Sequence, residues 1–542
     1  METSGRAYKV GALARRTYDS VTGLVSSAIG VFSPGRATLY RYGREIYRSY
    51  AAGDVNNGPN QNWRPKPRSA DADIKKNHKY IVGRARELAQ NSGHISGAIE
   101  RICNNVVRKG INPQAALRNK SGKLQKDVND RLELLFSRWK RHADLSGHSG
   151  FPGLQKLILR HMWTDGEVLV HRVMIDDAPP GIVPLKIELI ECDQLDRRVD
   201  GPLSNGNIGR RGAELAPSTG KVVALHVLDS HPGDYLNLGR MPKSLRILAE
   251  DIFHVYDRRR ISQTGGVPWL ASILIESYDL SEYKTTEKIG ARLAAAFGIF
   301  VKTNYPGMTP GIGVPPPGPL VNPNNSGEPV QTAPGWADMP DYIEPGRIQG
   351  IPAGTDIEVA SHNRPGTQYE PFVRDSHRAQ STGFGMSYEG FSNDYTSSSY
   401  ASARSGSLEE RLSYQGHQDF LNDHFNDHIW AWFVEAAWLA GMLPELRDYA
   451  RNSLFYQEAV TWQSPGWTWV DPLKDGRASE ILIDNALSTR RKLSAQRGED
   501  FDENVNGLID EEEKLLKLWE LRARRKKLEE EASGSKSNSQ SA

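Results

Sequence analysis

The chain has 542 residues, 38% of them hydrophobic, with 68 Lys plus Arg against 66 Asp plus Glu for a net charge of +2. That apolar share can build cores over several domains, while the balanced charge argues against a protein that grips nucleic acid by neutralising phosphates. Only two cysteines are present, Cys103 and Cys192, which excludes a disulfide framework and points to synthesis in a reducing cytoplasm.

Residues 1–70 form a Gly-, Arg- and Asn-rich arm ending in Pro65 and Pro67, expected to be poorly ordered at its start. It has no signal-peptide core, and no later stretch is apolar for the length of a membrane span, so no membrane is expected as a partner. From Asp71 to Val107 the spacing of Ile81, Ala85, Leu88, Ile95, Ile99 and Ile102 predicts helix, stopped by Gly110 and Pro113. A second helix is predicted from about Lys123 to His142. Residues 150–255 mix helix with short strands, among them "LKIELIE" (185–191) and "KVVALHVL" (221–228), separated by Gly and Pro turns. The fold class is α+β.

After Pro268, residues 269–302 contain no proline and are expected to form one helix of about nine turns. It closes on small residues, Ala291, Ala294 and Ala295, that let a neighbouring helix approach closely. Residues 303–362 are a Pro- and Gly-rich insert with a strand-like return, and 368–388 predicts a second helix, giving a hairpin with the insert at its far end. Then comes the hydroxyl-rich run Asn393, Asp394, Tyr395, Thr396, Ser397, Ser398 and Ser399, directly ahead of a long helical pattern over 401–440.

The catalytic signatures are missing. No G-x-x-x-x-G-K-[ST], G-x-G-x-x-G after a strand, G-x-S-x-G or H-E-x-x-H occurs, so no enzyme is expected. His417, His424 and His428 have ligand-like helical spacing but sit among Asp419, Asp423 and Asp427, which suits a polar helix face. Asp165 and Glu167 in "TDGEVLV" read as a turn before a strand rather than a carboxylate pair. The basic runs at 64–68, 258–260 and 522–527 read as solvated faces. "DENVNGLIDEEE" places Asp502, Asn504, Asn506, Gly507, Ile509, Asp510 and Glu513 at calcium-loop positions one, three, five, six, eight, nine and twelve. Val505 and Lys514 depart from that pattern, and an acidic connection between two helices is the alternative. Beyond this calcium candidate no cofactor or metal is expected.

Five stretches, in order, resemble the lambda family of phage portal proteins. They are "GRARELAQNSGHISGAIERICNNVVRKGINPQ" (83–114), "FPGLQKLILRHMWTDGEVLVHR" (151–172), "GKVVALHVL" with "AEDIFHVYDRRRISQTGGVPWLASIL" (249–274), "SYEGFSNDYTSSSYASAR" (387–404) and "VDPLKDGRASEILIDNALSTRRKLSAQRGED" (470–500). The resemblance implies a ring of about twelve subunits around a channel. Residues 71–267 would form the wing and 268–302 the first stem helix. The clip would span 303–362 and the second stem helix 363–388. The channel loop would be 389–400, followed by the long helix and return to the wing at 401–470. The crown would occupy 471–530, and 531–542 would be a disordered tail. The implied partners are further copies of the chain, double-stranded DNA, the terminase large subunit, head–tail connector proteins, and the major capsid protein with its scaffold. Another structural protein of the virion, or an enzyme of DNA packaging, are the rival classes.

Overall fold

The computed structural model describes residues 66–235, 242–296, 300–303, 355–358, 368–396, 398–467 and 471–538. Of the expected arm, residues 1–65 lie outside the described residues, as do Ser397 and most of the insert. In chain order the elements begin with α1 (Ala70–Asn91), α2 (Gly93–Val107), β1 (Asn112–Ala115), α3 (Lys126–Trp139) and α4 (Phe151–Thr164). Strands β2 (Glu167–Met174), β3 (Leu185–Glu191), β4 (Gly201–Pro202), β5 (Ile208–Arg210), β6 (Ala213–Leu215), β7 (Val222–Leu228), β8 (Ser244–Leu248) and β9 (Ile252–Tyr256) follow. The middle holds α5 (Leu274–Ala296), β10 (Phe300–Thr303), β11 (Thr355–Glu358), α6 (Tyr369–Phe384) and α7 (Tyr388–Ser392). The last third contains α8 (Tyr400–Leu421), α9 (Asp427–Leu439), α10 (Ser453–Gln457), β12 (Val460–Gln463), α11 (Pro472–Asp484), α12 (Arg490–Gln496) and α13 (Phe501–Asn538).

Helix α4 shows why the sequence folds as it does. Pro152 sits in its first turn, where a missing N–H costs nothing, and Phe151, Leu154, Ile158, Leu159 and Met162 recur on one buried face. Gly166 ends it in the left-handed region (φ 79°), and a Cβ there would lie 2.1 Å from the Val267 carbonyl carbon. The chain therefore turns at once into β2, the centre of an antiparallel sheet ordered β3-β2-β9. A second antiparallel sheet runs β4-β5-β6-β7-β8. The main core is aromatic: Phe136, Trp139, Phe151 and Phe433 pack with ring centroids 5.1–5.9 Å apart. The Trp139 indole donates to the Leu185 carbonyl at 2.7 Å, so its one polar atom is satisfied inside that core.

The expected helix over 71–107 breaks at Ser92, dividing into α1 and α2. The expected single helix over 269–302 is corrected more deeply. Trp269–Ser272 is a short 3-10 turn whose Trp269 and Leu270 are buried, the helix proper is α5, and Phe300–Thr303 is a strand paired antiparallel with Thr355–Glu358. Aromatic and β-branched residues in "FVKT" favour the pleated conformation once a partner strand is available. Contacts of Ile273 with Gly383, Lys284 with His377 and Tyr283 with Tyr369 run α5 and α6 antiparallel, as the hairpin requires. The long helix over 401–440 holds as α8 and α9, joined by a π turn at Asn422–Asn426. Asn426, fully buried there, bonds Asn422 at 2.8 Å and accepts from Gln155 of α4 at 2.9 Å, so the wider turn is fixed by a buried polar pair.

Two C-terminal expectations are also corrected. Helix α13 runs through 531–538, where a tail was expected, and residues 502–513 all lie inside it. Neither the loop of an EF-hand nor a connection between helices exists there. Asp500 caps the helix through the N–H groups of Asp502 and Glu503 (2.7 and 2.9 Å), and helical winding then strings Asp502, Asn506, Asp510 and Glu513 along one face over about three turns, with Asn504 on the other, instead of folding them around one point. Asp502 instead accepts from Arg491 at 2.7 and 2.8 Å.

Candidate functional site

The hydroxyl-rich run sits where α6, α7 and α8 meet. Gly385 closes α6 in the left-handed conformation (φ 64°), and Ser387 caps α7 by accepting from the Gly390 N–H at 3.0 Å. The Ser387 backbone N–H and hydroxyl both donate to Glu410 of α8 (2.8 and 2.7 Å), so the carrying helix holds the start of the loop. Asn393 is left-handed (φ 57°) and accepts from Arg101 of α2 at 2.9 Å. Asp394 accepts from the Thr396 N–H and hydroxyl (3.1 and 2.6 Å) and from Tyr388 at 3.0 Å, bonds that hold its carboxyl below the usual range. Ser399 and Ser402 form a reciprocal capping box at the start of α8.

The hydroxyl-rich run is thus partly built structure, because short polar side chains bond their own backbone in turns and caps. Asp394 makes the turn and Ser399 the cap. Asn393, Tyr395 and Thr396 are exposed and Ser398 is half-buried. Behind them the first half of α8 is largely exposed, whereas Tyr414, Gln418 and Leu421 and the π turn beyond enter the core. Gln418 donates to the Val106 carbonyl of α2 at 3.0 Å, and Arg404 pairs with Asp475 of α11 at 3.0 Å. Sequence blocks far apart in the chain therefore converge on the root of this loop.

A second cluster fixes the loop to the hairpin. Lys284 of α5 lies 3.1 Å from His377 Nε2 of α6, whose Nδ1 faces the Gln380 side-chain oxygen at 3.2 Å, and the rings of His94 and Phe391 pack against it at 4.4 and 5.6 Å. Burial, reinforced by the Lys284 charge, pushes His377 down to about 4, and burial likewise lowers His94 and Lys284. His377 is neutral in the fold, so stability is full above its ordinary pKa of 6.5 and falls as pH drops from there through 4. Acidification across that window is expected to cost on the order of 2 kcal/mol, and His377→Gln to remove most of this slope. Denaturant midpoints between pH 7 and 4 measure it; identical slopes in the two proteins would show that another group titrates.

Sequence reasoning missed the most heavily charged site. Glu167, fully buried, lies 3.1 Å from His78 and 3.0 Å from His254, accepts from the Gly266 N–H at 2.7 Å, and pairs with Arg197, with Arg211 3.7 Å away. Burial alone would raise its pKa; these partners hold it well below the usual carboxylate range. Asp165, also buried, pairs with Arg86 at 2.7 Å and with His161. The two carboxylates flank the expected turn, but their partners are spread from residue 78 to 266 and leave no spacing signal. The three histidines at ligand-like spacing do not converge: His417 and His424 bond the Ser413 and Phe420 carbonyls, and His428 stacks on Phe253. Among the described residues, Glu191, Asp193 and His231 alone group as a metal could require, and Arg86 occupies both carboxylates (3.4 and 2.6 Å). Of the small-residue set, Ala291 is half-buried on α5, and the side chains of Ala294 and Ala295 lie outside the described positions. Among the described residues no helix is long and apolar enough to cross a membrane.

The profile of the family described as "Phage portal protein, lambda family" matches residues 56–418. The chain belongs to that family. Portal proteins among its relatives include a probable portal protein of Halomonas phage phiHAP-1, 26% identical over 464 residues, with 85% of each chain covered. The portal protein of Escherichia phage N15 is 23% identical, covering 85% of this chain and 89% of its own, and portal protein B of Escherichia phage lambda is 22% identical, covering 85% and 88%. Among solved structures, a chain from the neck of an empty gene transfer agent particle is similar at a TM-score of 0.44 and 12% identity, with 77% of this chain and 93% of that chain covered. The expectation drawn from the five sequence blocks is met at the level of the family, and the mixed helix-and-sheet architecture agrees with the expected fold class.

Proposed function

We propose that this chain is the portal subunit of a phage capsid, assembling head-to-tail into a ring of about twelve around a central channel. Double-stranded DNA enters through that channel during packaging and leaves through it on ejection. The role is structural, not catalytic. The hairpin of α5 and α6 forms the stem, and the segment between β10 and β11 is the clip. There the terminase large subunit docks first and head–tail connector proteins afterwards, while the major capsid protein and scaffold hold the ring at one vertex. The loop 393–399 lines the channel, where hydroxyls make brief phosphate contacts without the counterion release that would make a lysine ring hold fast.

One observation carries the ring reading within this family. Large apolar side chains stand exposed along the stem and its neighbours, namely Ile275, Tyr278 and Ile289 on α5, Phe372 on α6, and Leu408 and Leu412 on α8. Exposed apolar side chains of this size on three helices call for a covering surface, and a head-to-tail neighbour supplies one. Negative-stain images of the purified protein are expected to show rings with a central hole. Ala294→Leu is expected to overpack the contact between stems by roughly 1–3 kcal/mol per subunit, converting rings to monomers or open arcs on sizing chromatography. Wild-type protein without rings would overturn the reading; unchanged rings in the variant would overturn the placement of Ala294.

A further inference from the structure

Beside the hydroxyl-rich loop lies a polar cleft of about 420 Å³, between α2, the loop, α8 and Trp467. Three guanidinium groups line it, Arg101, Arg108 and Arg411, against the one carboxylate of Glu410. Glu410 is already engaged through the N–H and hydroxyl of Ser387. Arg101 gives one N–H to Asn393 and Arg108 one to the Gly466 carbonyl, and a guanidinium has five to give. Two further donors sit in the wall. Tyr414 is 3% exposed, and its hydroxyl has no hydrogen-bond partner among the described residues; the same holds for the buried indole nitrogen of Trp467. A buried hydroxyl left unpaired is costly to a fold, so retaining it at the floor of a cationic cleft points to an acceptor supplied from outside.

We infer that this cleft binds a phosphoryl group. A carboxylate offers two oxygens in one plane, too few for three guanidinium forks, a phenol and an indole approaching from different elements. A phosphoryl group offers three oxygens in a tetrahedral spread, and arginine is the side chain best matched to them. The volume exceeds that of a bare anion and has room for the sugar that carries it, so the group belongs either to the DNA backbone or to a free nucleotide. Burial draws the Arg411 guanidinium below its ordinary pKa against the pull of Asp475, with Arg108 and Arg404 adding to the lowering. The site does not depend on the ring: a chain that forms rings and binds no phosphate leaves the portal reading standing, and the converse leaves this one.

The test uses the full chain at fixed ionic strength, titrated by calorimetry with inorganic phosphate, a nucleoside monophosphate and a short DNA duplex, with chloride as the control. Saturable binding of at least one phosphate ligand is expected. Tyr414→Phe and Arg101→Gln should each weaken it about tenfold, the loss of one hydrogen bond to a charged group. Without ligand, Tyr414→Phe should melt no lower than wild type, because the hydroxyl it removes has no structural partner. Tighter binding of the duplex than of the monophosphate assigns the site to the DNA backbone; equal or weaker binding assigns it to a small phosphate. The inference is overturned if no phosphate ligand saturates, or if both variants bind as wild type does.

Discussion

Glu167→Ala is expected to destabilise the protein by about 3–5 kcal/mol, the range for removing one partner of a buried ionic cluster. The loss would come less from the missing contact than from what is left behind. His78, His254, Arg197 and Arg211 converge on this one carboxylate from four different places in the chain, and the variant strips all four of that shared buried partner. Gly266 would lose the acceptor for its N–H, at the point where its backbone is pressed against Gly166. The stabilisation is also pH-dependent with a definite sign. Because the folded pKa lies well below 4.5, the contribution is fully present above that value and is lost as pH falls beneath it. Equilibrium unfolding in denaturant at pH 7 measures the effect, and a loss under about 1 kcal/mol would mean that the cluster relaxes or rehydrates freely.

Lysines at Ser397 and Ser398 together are expected to slow or arrest DNA passage, the larger functional effect of any substitution in the loop. They would add two positive charges per subunit around the ring, and each phosphate contact they make releases a counterion on binding. The arrest should therefore be strong at low salt and ease steeply as salt rises. Ser399 is left in place, because it caps α8 and its replacement by alanine would cost about 1 kcal/mol of helix stability for reasons unrelated to DNA. Alanines at the same two positions serve as the control and should package normally. The measurement is the length of DNA per particle across a salt series. Lysine particles that fill like wild type at every salt concentration would show that the loop does not touch DNA.

The sequence made the architecture far more legible than the sites. Strands β3 and β7 stand where "LKIELIE" and "KVVALHVL" placed them, since short apolar runs between turn residues carry their own periodicity. The long helix after the loop was equally plain. The end of α5 was not: residues 300–303 favour strand only because Thr355–Glu358 pairs with them, and such a partner is invisible to a local window. The acidic run 502–513 failed for the opposite reason. Its residue types fit a calcium loop, yet nothing in them breaks a helix that Asp500 already caps. The Glu167 cluster and the Arg101–Arg108–Arg411 cleft join residues from distant parts of the chain, so no motif could reveal them. The capping box was hidden because its third member is serine, where glutamate or glutamine is the usual mark.

The ladder between Phe300–Thr303 and Thr355–Glu358 also bears on how this lineage can diversify. The antiparallel pairing of the two strands holds the ends of residues 304–354 side by side, so a change in the length of that segment leaves the pairing itself untouched. Closing such a segment costs only about 0.6 kcal/mol more for each doubling of its length. Residues 304–354 can therefore be lengthened, trimmed or exchanged wholesale while α5 and α6 keep their register. If this segment is the clip proposed above, a new docking partner is met by changing one cassette while the rest of the chain stays as it is.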